Sequence, residues 1–575
     1  MLCQLVVNWT GGSRQTRHHL VEDIRDGLQY NSRQSVTGLL RNSMARASRI
    51  LCKQRVSSLS CHPPILFPTR CFSSSCPSTD IHLTAPNGRS WMQPLGLFID
   101  NEFINPSSAS TITTINPYTE DEICSVAAAT PQNVDHAVQS ARMALKHPSW
   151  KLLSGTARGM LMNKLADLVD QHRETLATIE TLDNGKPYSA SIGWDVPHFA
   201  EVMRYYAGYA DKMHGSVMDL GHNKMAYTLK QPVGVCGQII PWNYPLAMAA
   251  WKLGPALCCG NTVVLKLAEQ TPLSMLYVAR LIREAGFPPG VVNIINGHGH
   301  VAGAALALHD DVDKIAFTGS TAVGKKVMSL ASSTMKAVTL ETGGKSPLIV
   351  FDDANLDQAV RWAHEGIMAN QGQICTATSR LLVQHGIYDA FVRRFARYTR
   401  ETSVLGDPFH PATYQGPQIS QRQRDRVLSY IQTAQNENTT MLQPCGSLTQ
   451  VPPRGYFVPP TIFVHVSADA TVFKDEIFGP CAAVARFRTE DEALAMANAS
   501  RYGLASAVFT ADLARAHRMA MELEAGMVWV NSSNDSDVRV PFGGIKESGL
   551  GRELGEEGLR GYHGVKSVHV NLTSN

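Results

Sequence analysis

Three short segments of the 575-residue sequence hold side chains that together suit chemistry at a carbonyl group. Cys375 lies among small and polar residues, and its thiolate would be a nucleophile. Glu341 lies in a glycine turn and could act as a base, while Asn243 lies between two prolines and offers an amide donor. A nucleophile, a base and an oxyanion-binding donor are what acyl chemistry requires.

Each of the three residues also has a plain structural interpretation. A free cysteine is usually a buried packing residue, and an isolated Glu341 is more often a surface carboxylate. An isolated Asn243 would more often satisfy the backbone of its own turn. Their joint occurrence in three extended blocks is what favours catalysis.

The three blocks are residues 241–245 (PWNYP), 340–347 (LETGGKSP) and 370–380 (NQGQICTATSR). In this order and spacing they resemble the aldehyde dehydrogenase superfamily, and the resemblance runs from about Leu97 to about Val570. It implies that Cys375 attacks an aldehyde, while Asn243 and the Cys375 backbone N–H stabilise the oxyanion. It also implies that Glu341 activates the water that hydrolyses the thioester and that Lys252 supports the site electrostatically. Thr342 departs from the family, which usually has leucine there.

A predicted strand–turn–helix at residues 317–325 (FTGSTAVGK) is the candidate nucleotide site. Its glycines would let a phosphate approach backbone N–H groups at the positive end of a helix dipole. The pattern alone leaves alternatives open, because Lys326 stands where a P-loop needs Ser or Thr to hold magnesium. Residues 297–303 (GHGHVAG) are one residue too long for the usual dinucleotide fingerprint.

The resemblance implies that the turn at 319–324 binds the pyrophosphate of NAD, the only cofactor expected. Lys266 and Glu269 would hold the adenosine ribose, and the Glu269 carboxylate would repel a 2′-phosphate, so NAD is expected over NADP. Glu476 would bind the nicotinamide ribose, with Phe478 packed near the ring. The cofactor residues implied are Ile239, Pro241, Trp242, Lys266, Glu269, Gly299, Gly303, Phe317, Gly319, Ser320, Thr321, Gly324, Glu476 and Phe478. No Cys/His set has zinc spacing, and no metal site is expected.

The substrate residues implied by the resemblance are Tyr244, Met248, Trp251, Ile374, Thr376, Ser536 and Phe542. Enzymes for simple aliphatic aldehydes commonly have an aromatic residue at the Ser536 position, whereas the loop 532–537 (SSNDSD) is polar and acidic. We expect a broad range of aliphatic and aromatic aldehydes. A betaine-aldehyde or aminoaldehyde dehydrogenase is the alternative, although those enzymes often have tryptophan at the Phe542 position to hold an ammonium group.

Three other functional hypotheses remain beside this interpretation. One is a non-catalytic binding protein on the same fold, against which the joint presence of Cys375, Glu341 and Asn243 argues. Another is a P-loop phosphohydrolase, which Lys326 disfavours. The third is the acylating branch of the family, which passes the thioester to coenzyme A and typically lacks the glutamate found here at Glu341.

Short β-rich runs alternate with helical patterns from Pro232 onward, which predicts an α/β fold with parallel sheets. The runs lie at 233–240, 262–267, 291–295 and 314–317, and those at 339–341 and 348–351 predict a further sheet that begins a second α/β unit. The folded sequence is expected to begin near Leu97, and residues 568–572 are expected to form an edge strand.

The domain organisation follows from these runs and from the resemblance, which implies the aldehyde dehydrogenase-like fold of two α/β domains and a small oligomerisation arm. Residues 1–79 would be a leader and 80–343 the NAD-binding domain, interrupted near 212–231 by part of the arm. Residues 344–555 would be the catalytic domain and 556–575 the C-terminal oligomerisation strand. A homodimer or homotetramer is expected.

Composition limits the partners and the compartment. A 44% hydrophobic and 18% charged content is typical of a folded globular protein. Residues 1–73 contain ten Lys/Arg and three Asp/Glu, a net +7, so the other residues sum to +3 − 7 = −4. This mildly acidic body does not indicate nucleic-acid binding, and no apolar run is long enough for a membrane span.

The leader has the composition of a transit peptide. From Gly27 to Thr79 it has seven basic residues, abundant serine and no acidic residue, which is typical of mitochondrial or plastid targeting. The piece that starts at Met44 fits this best, so translation from Met1 or from Met44 is open. We expect the mitochondrial matrix, with an untargeted cytoplasmic protein as the alternative.

Overall fold

The computed structural model of the protein describes residues 80–106, 110–444 and 451–573. These residues belong to one compact unit, Cys76–Asn575. The predicted leader, residues 1–79, lies outside the described residues.

The first described segment consists of short antiparallel strands. They are β1 (Asp80–Thr84), β2 (Ser90–Pro94), β3 (Leu97–Ile99), β4 (Glu102–Ile104), β5 (Thr111–Ile115) and β6 (Glu122–Ala127). The pairing of β1 with β2 means that regular structure begins before the expected start near Leu97. The β1 residues are mostly half-buried, so their sequence lacks the strong apolar alternation that marks a strand.

Helices then dominate up to residue 207. They are α1 (Pro131–Lys146), α2 (Pro148–Lys151), α3 (Gly155–Gln171), α4 (Arg173–Asn184), α5 (Tyr188–Ala190) and α6 (Val196–Ala207). A five-residue π-helical turn, Ser191–Asp195, lies between α5 and α6. Such turns inside α-helical segments are rare and frequently occur at functional sites.

Strands and helices alternate over the next segment, as the sequence predicts. In order, they are β7 (Val217–Asp219), β8 (Lys224–Pro232), β9 (Val235–Ile239), α7 (Pro245–Cys258), β10 (Thr262–Lys266), α8 (Leu273–Ala285), β11 (Val292–Ile295), α9 (Ala304–Leu308), β12 (Lys314–Thr318), α10 (Thr321–Ala331) and β13 (Ala337–Glu341). Strands β9 to β12 are fully buried, as expected where helices cover both faces of a parallel sheet.

A second alternating segment completes the chain. Its elements are β14 (Pro347–Val350), α11 (Leu356–Met368), β15 (Arg380–Gln384), α12 (Tyr388–Thr402), α13 (Gln421–Asn436), β16 (Thr440–Leu442), β17 (Thr461–Val464), α14 (Thr471–Lys474), β18 (Cys481–Phe487), α15 (Glu490–Asn498), β19 (Tyr502–Gly503), β20 (Ala505–Phe509), α16 (Leu513–Glu522), β21 (Met527–Val530), β22 (Ile545–Lys546), β23 (Gly549–Leu550) and β24 (His563–Asn571).

Two large sheets organise these elements. The first has the order β23-β13-β12-β9-β10-β11-β3-β4, and the second has the order β16-β17-β18-β15-β14-β20-β21. The prediction that residues 339–341 and 348–351 begin one further sheet is therefore wrong for the first run. Strand β13 pairs in parallel with β12 in the first sheet, and only β14 enters the second, because the turn at 342–346 separates two strands whose sequences do not specify their partners.

A third, three-stranded sheet joins segments that are far apart in sequence. Its order is β24-β8-β7, and β24 runs antiparallel to β8 from the pair His563↔Pro232 to the pair Asn571↔Lys224. The predicted edge strand at 568–572 thus forms the end of β24. The structure also brings the two predicted parts of the oligomerisation arm into one sheet.

The described residues contain neither a helix that could span a membrane nor a cluster of metal-binding side chains. None of the helices in the described part of the chain has the length and apolar character needed to cross a bilayer. Within residues 80–106, 110–444 and 451–573, no three His, Cys, Asp or Glu side chains are grouped so that they could hold a metal ion.

Candidate active site

Two cavities with mostly different walls meet at Cys375. The smaller, of about 330 Å³, is a cleft along the first sheet, and the larger, of about 870 Å³, lies toward α5, the π-helical turn Ser191–Asp195 and residues 401–414. Both are lined by Tyr244, Met248, Trp251, Cys375 and Phe542. A thiol at this junction can be reached by one molecule from each cavity.

The loop that holds Cys375 is shaped by left-handed backbone. Asn370 and Gln371 have φ values of 46° and 58°, and Gly372 has a φ of 72°. A Cβ at Gly372 would lie 2.0 Å from the carbonyl oxygen of Gly479, so only glycine fits both the conformation and the space. These three residues turn the chain sharply after α11 and place Cys375 at the junction.

Burial keeps the Cys375 thiol protonated in this structure. Desolvation is the main cause, and together with the negative charges of Glu341 and Glu476 it raises the pKa of Cys375 to about 12. Only the thiolate is a strong nucleophile. The site therefore requires a base that takes the thiol proton when an aldehyde binds.

Glu341 is the candidate base and is the last residue of β13. It is buried, and among the described residues no hydrogen bond of standard geometry reaches either carboxylate oxygen. Burial raises its pKa well above the usual range, and the neighbouring Glu553 adds to this, whereas Lys252 and Arg552 act in the opposite direction. A carboxylate with a raised pKa and unsatisfied oxygens is suited to accept a proton near neutral pH.

Lys252 lies on α7 and connects Glu341 to a residue that the sequence analysis missed. Its buried Nζ donates to Glu553 Oε1 at 2.6 Å and to Thr318 Oγ1 at 2.6 Å. Glu553 is buried and lines the smaller cleft. It lies far along the chain in a segment without a recognisable motif, so only the fold shows that it belongs to the site.

Asn243 lies against the loop that holds Cys375. Its Nδ2 donates to the backbone carbonyl of Gln373 at 3.0 Å, and Asn370 Nδ2 donates to the carbonyl of Asn243 at 3.1 Å. The amide is therefore held against the loop of Cys375, and it does not serve only its own turn.

The cleft follows the carboxyl edge of the first sheet, where ligands bind in open α/β sheets. Registers pair Lys266 with Ile239, Ile239 with Phe317, and Thr318 with Glu341. Several of the predicted cofactor residues line the cleft: Pro241, Trp242, Gly319, Ser320, Glu476 and Phe478. The others lie outside that lining: Ile239, Lys266, Glu269, Gly299, Gly303, Phe317, Thr321 and Gly324.

The N-terminus of α10 fits a phosphate group. Gly319 and Ser320 lead into this helix, and within the described residues the Ser320 side chain makes no capping hydrogen bond to it. The first N–H groups of α10 are thus left for an anion, at the positive end of the helix dipole. The Gly319 N–H donates to the Glu341 carbonyl at 3.0 Å, which ties this turn to the strand of the candidate base.

Lys266 and Glu269 form a pair at the end of β10. Lys266 is buried, and its Nζ lies 3.4 Å from Glu269 Oε2, while Glu269 Oε1 accepts from the Gly299 N–H at 2.6 Å. Burial alone would raise the pKa of Glu269, but Lys266 and the Gly299 N–H outweigh it and lower the pKa. The pair therefore remains ionised. Residues 299–303 of the near-fingerprint segment 297–303 form a π-helical turn, whose Gly299 N–H binds Glu269.

Glu476 and Phe478 lie where the second α/β unit faces the cleft. Glu476 Oε1 accepts from the Gly344 N–H at 3.1 Å, and burial raises the pKa of Glu476 to about 7. The Phe478 ring meets Trp242 edge-on at 5.4 Å. Both residues are positioned by the 476–480 loop, in which Phe478 has a left-handed φ of 62°.

All seven predicted substrate residues line the larger cavity. Asp535, in the polar and acidic loop noted in the sequence, also lines the cavity, as do aromatic and acidic residues that the sequence did not reveal: Trp194, Trp362, Tyr414, Asp195, Glu365 and Glu401. Along its lining in the described residues Lys186 is the only lysine or arginine, and its Nζ is paired with Asp195 Oδ1 at 2.8 Å.

Thr342, which stands where the resembled family usually has leucine, donates its hydroxyl to the Glu547 carbonyl at 2.6 Å.

Known proteins resemble this chain over most of its length. The profile of the aldehyde dehydrogenase family matches residues 103–568. The chain is similar to an NAD(P)+ aldehyde dehydrogenase of Saccharomyces cerevisiae, with 50% identity over 84% of this chain and 96% of that protein. It is similar to the mitochondrial aldehyde dehydrogenase of Sus scrofa, with 47% identity over 93% and 99%. The solved NAD+ complex of a Bacillus cereus aldehyde dehydrogenase has 45% identity and a TM-score of 0.81, over 83% of this chain and 97% of that one.

Proposed function

The chain belongs to the aldehyde dehydrogenase family and is an NAD(P)-dependent aldehyde oxidoreductase, and we propose that it oxidises aldehydes to carboxylic acids through a thioester on Cys375. The observation that supports this most directly is the junction of two cavities at a thiol, with a buried carboxylate, Glu341, on the cleft side. One cavity suits a dinucleotide and the other suits the aldehyde.

The first step is attack by Cys375 on the aldehyde carbon. The thiol proton passes to the Glu341 carboxylate, the sulfur–carbon bond forms, and the carbonyl oxygen becomes an oxyanion. The Asn243 amide and the Cys375 backbone N–H are the donors for that oxyanion. Because Asn243 already donates to the Gln373 carbonyl, its amide is pre-oriented toward this loop.

The lining of the smaller cleft and the N-terminus of α10 would hold NAD, which would supply the acceptor for the hydride lost as the oxyanion collapses to the thioester. Glu341 gives the thiol proton up to solvent and, ionised again, takes a proton from water, so that the resulting hydroxide attacks the thioester and releases the acid. The thiolate that leaves recovers a proton. The charge of Glu553 raises the pKa of Glu341, and the charge of Lys252 lowers it.

We also propose that NAD is preferred to NADP. Lys266 and Glu269 support this, because the ionised Glu269 carboxylate at the end of β10 would repel a 2′-phosphate while it could accept from a 2′-hydroxyl. The same reasoning predicts that neutralising Glu269 would reduce the preference for NAD over NADP.

The substrate class that we propose is a broad range of aliphatic and aromatic aldehydes. The size of the larger cavity and its aromatic walls support aldehydes bulkier than acetaldehyde. The acidic side chains Glu365, Glu401 and Asp535 favour a second candidate, a cationic amino- or ammonium-aldehyde, because none of the three has a lysine or arginine beside it in the described lining.

The decisive experiment measures NADH formation by protein lacking residues 1–79, with acetaldehyde, benzaldehyde, a long-chain aldehyde and betaine aldehyde. Wild-type turnover that Cys375→Ala abolishes would support the proposal. A preference for betaine aldehyde would favour the cationic class. NAD binding without turnover of any aldehyde would contradict the proposal and favour a binding protein.

We further propose a mitochondrial matrix protein that forms a homodimer or homotetramer. The basic leader and the similarity to a mitochondrial relative support the location. The sheet β24-β8-β7, with its exposed apolar residues Val565, Val217 and Leu229, supports an oligomer. Fusion of residues 1–79 to a fluorescent protein would test the first proposal, since cytoplasmic fluorescence would contradict it.

A further inference from the structure

A buried histidine outside the reaction just described connects two tryptophans of the larger cavity. His198 lies in the first turn of α6, directly after the π-helical turn Ser191–Asp195. Its Nε2 lies 2.7 Å from Nε1 of Trp251, and its ring stacks on that of Trp194 at 4.5 Å and 12°. No step of the proposed mechanism uses it.

The chemistry of the indole fixes the state of this histidine. An indole N–H is a donor only, so His198 Nε2 must be unprotonated to accept from it. The imidazole is therefore neutral, with its proton on Nδ1. Burial lowers the pKa of His198 to about 4, and the nearby Asp537 opposes this only in part, so the neutral form persists throughout the pH range in which the protein would work.

The two tryptophans form one continuous wall beside Cys375. Trp251 lines both cavities, and Phe542 meets its ring edge-on at 4.6 Å. Trp194 lines only the larger cavity and meets the ring of Tyr244 edge-on at 5.2 Å. His198 contacts both indoles.

The backbone beneath Trp194 is fixed independently of His198. Asp195, next to it in the π-helical turn, pairs with Lys186 at 2.8 Å, and both side chains are almost completely buried. The Lys186 Nζ also lies 4.1 Å from the centre of the Tyr244 ring. Trp194 itself is 38% exposed, and its ring is oriented by the stack on His198 and the edge-on contact with Tyr244.

From these contacts we propose that His198 is a positioning residue that sets the width of the aldehyde cavity. By accepting from Trp251 and stacking on Trp194, it holds two flat rings as a wall against which the body of a bulky aldehyde, such as one with an aryl group, packs. Loss of the acceptor would free both rings to occupy the cavity. This role rests on the proposed aldehyde oxidation, and a two-carbon aldehyde would depend on it much less.

The test compares His198→Leu, which removes the acceptor, with His198→Gln, whose side-chain carbonyl can accept from Trp251. In His198→Leu we expect KM for phenylacetaldehyde to rise by about tenfold, the factor that a lost buried hydrogen bond typically represents. The kcat should change less than about twofold, and acetaldehyde kinetics should change little. His198→Gln should recover most of the loss.

A double-substitution cycle with Trp251→Phe provides the second measurement, because it removes the donor from the other side. The effects of His198→Leu and Trp251→Phe on KM for phenylacetaldehyde should be less than additive. Equal losses for both aldehydes, equal losses in the Leu and Gln variants, or full additivity would overturn the proposal. Wild-type turnover of acetaldehyde reports separately on the proposed function, so the two can fail independently.

Discussion

At the scale of single residues, the surroundings of Cys375 and Glu341 favour their protonated forms. Burial is the main cause in both cases, and each group is also within the electrostatic field of another carboxylate. A raised pKa makes Glu341 a stronger base when it is ionised, but it reduces the ionised fraction at low pH. We therefore expect wild-type kcat to increase with pH as the Glu341 carboxylate forms.

Replacement of Glu341 by glutamine tests its role as the general base. In Glu341→Gln the amide cannot take a proton from water, so we expect steady-state kcat to fall by about 10²–10⁴-fold, the usual contribution of a general base. The pH dependence attributed to Glu341 should disappear as well. Steady-state NADH formation from pH 6 to 9 would measure both effects.

The matched control is Glu557→Gln, which alters an exposed ion pair with Arg560 and should leave the profile unchanged. An unaltered pH profile in Glu341→Gln would contradict the assignment of the base.

The sequence located the residues that lie in contiguous, distinctive blocks. Cys375, Glu341 and Asn243 could be found because each is embedded in a local motif, and the structure places all three in the lining of one cleft. Glu553 and His198 could not be found, because each acts through a partner on α7 that is brought close only by tertiary packing. Neither has a local pattern that distinguishes it from an ordinary surface or core residue.

At the scale of elements, α4 has an unusual C-terminal half. The helix from Leu176 to Asn184 is entirely buried, and it includes the carboxylates Glu180 and Asp183. Burial, followed by the charge of Asp195, raises the pKa of Glu180 to about 7, although Lys186 opposes the shift. Because the folded protein binds this proton more tightly than the unfolded chain, the stability due to it is present below the unfolded pKa and is lost as pH rises toward 7.

Glu180→Gln should therefore stabilise the protein only where the wild-type carboxylate is ionised. At pH 8 we expect the thermal midpoint to rise by about 2–5 °C, and at pH 5 we expect little difference. Differential scanning fluorimetry at the two pH values would measure this, with the exposed Glu201→Gln as the control. A gain of equal size at both pH values would mean that charge burial is not the cause.

The left-handed turn before Cys375 predicts a second element-scale effect. Gly372→Ala would place a Cβ against the Gly479 carbonyl and would add strain of about 1–2 kcal/mol from the backbone conformation. We expect kcat/KM to fall by at least about tenfold, with a lower thermal midpoint. Gly386→Ala is the matched control, since a Cβ there would meet no atom within 4 Å. Unchanged activity in Gly372→Ala would show that the loop tolerates a different path.

The positions of strands in the chain were more predictable than their partners. The runs at 262–267 and 314–317 correspond closely to β10 and β12, because long apolar β-rich stretches are visible in the sequence. The run at 339–341 pairs with β12 in the first sheet and not in the further sheet that the sequence predicts, because tertiary packing decides which distant strands pair. The β1 strand was missed because its residues are only partly buried.

At the scale of the whole molecule, the sheet β24-β8-β7 predicts how copies of the chain assemble. Val565 in β24 is 65% exposed in the single chain, and an exposed apolar strand at a sheet edge is suited to pairing with another copy. Val565→Arg should lower the mass measured by light scattering after size-exclusion chromatography. Met521→Arg, at an 83% exposed site outside this sheet, should not. The same mass for wild type and Val565→Arg would contradict the proposed interface.

The meeting of two differently walled cavities at one sulfur has a consequence for inhibition. A compound that occupies only the aldehyde cavity leaves the dinucleotide cleft open, so it should compete with the aldehyde but not with NAD. Five residues line both cavities. A ligand large enough to displace Trp251 or Phe542, two of these five, would change the walls of both cavities and would therefore also affect NAD binding. The aldehyde and NAD thus reach the Cys375 sulfur from separate cavities.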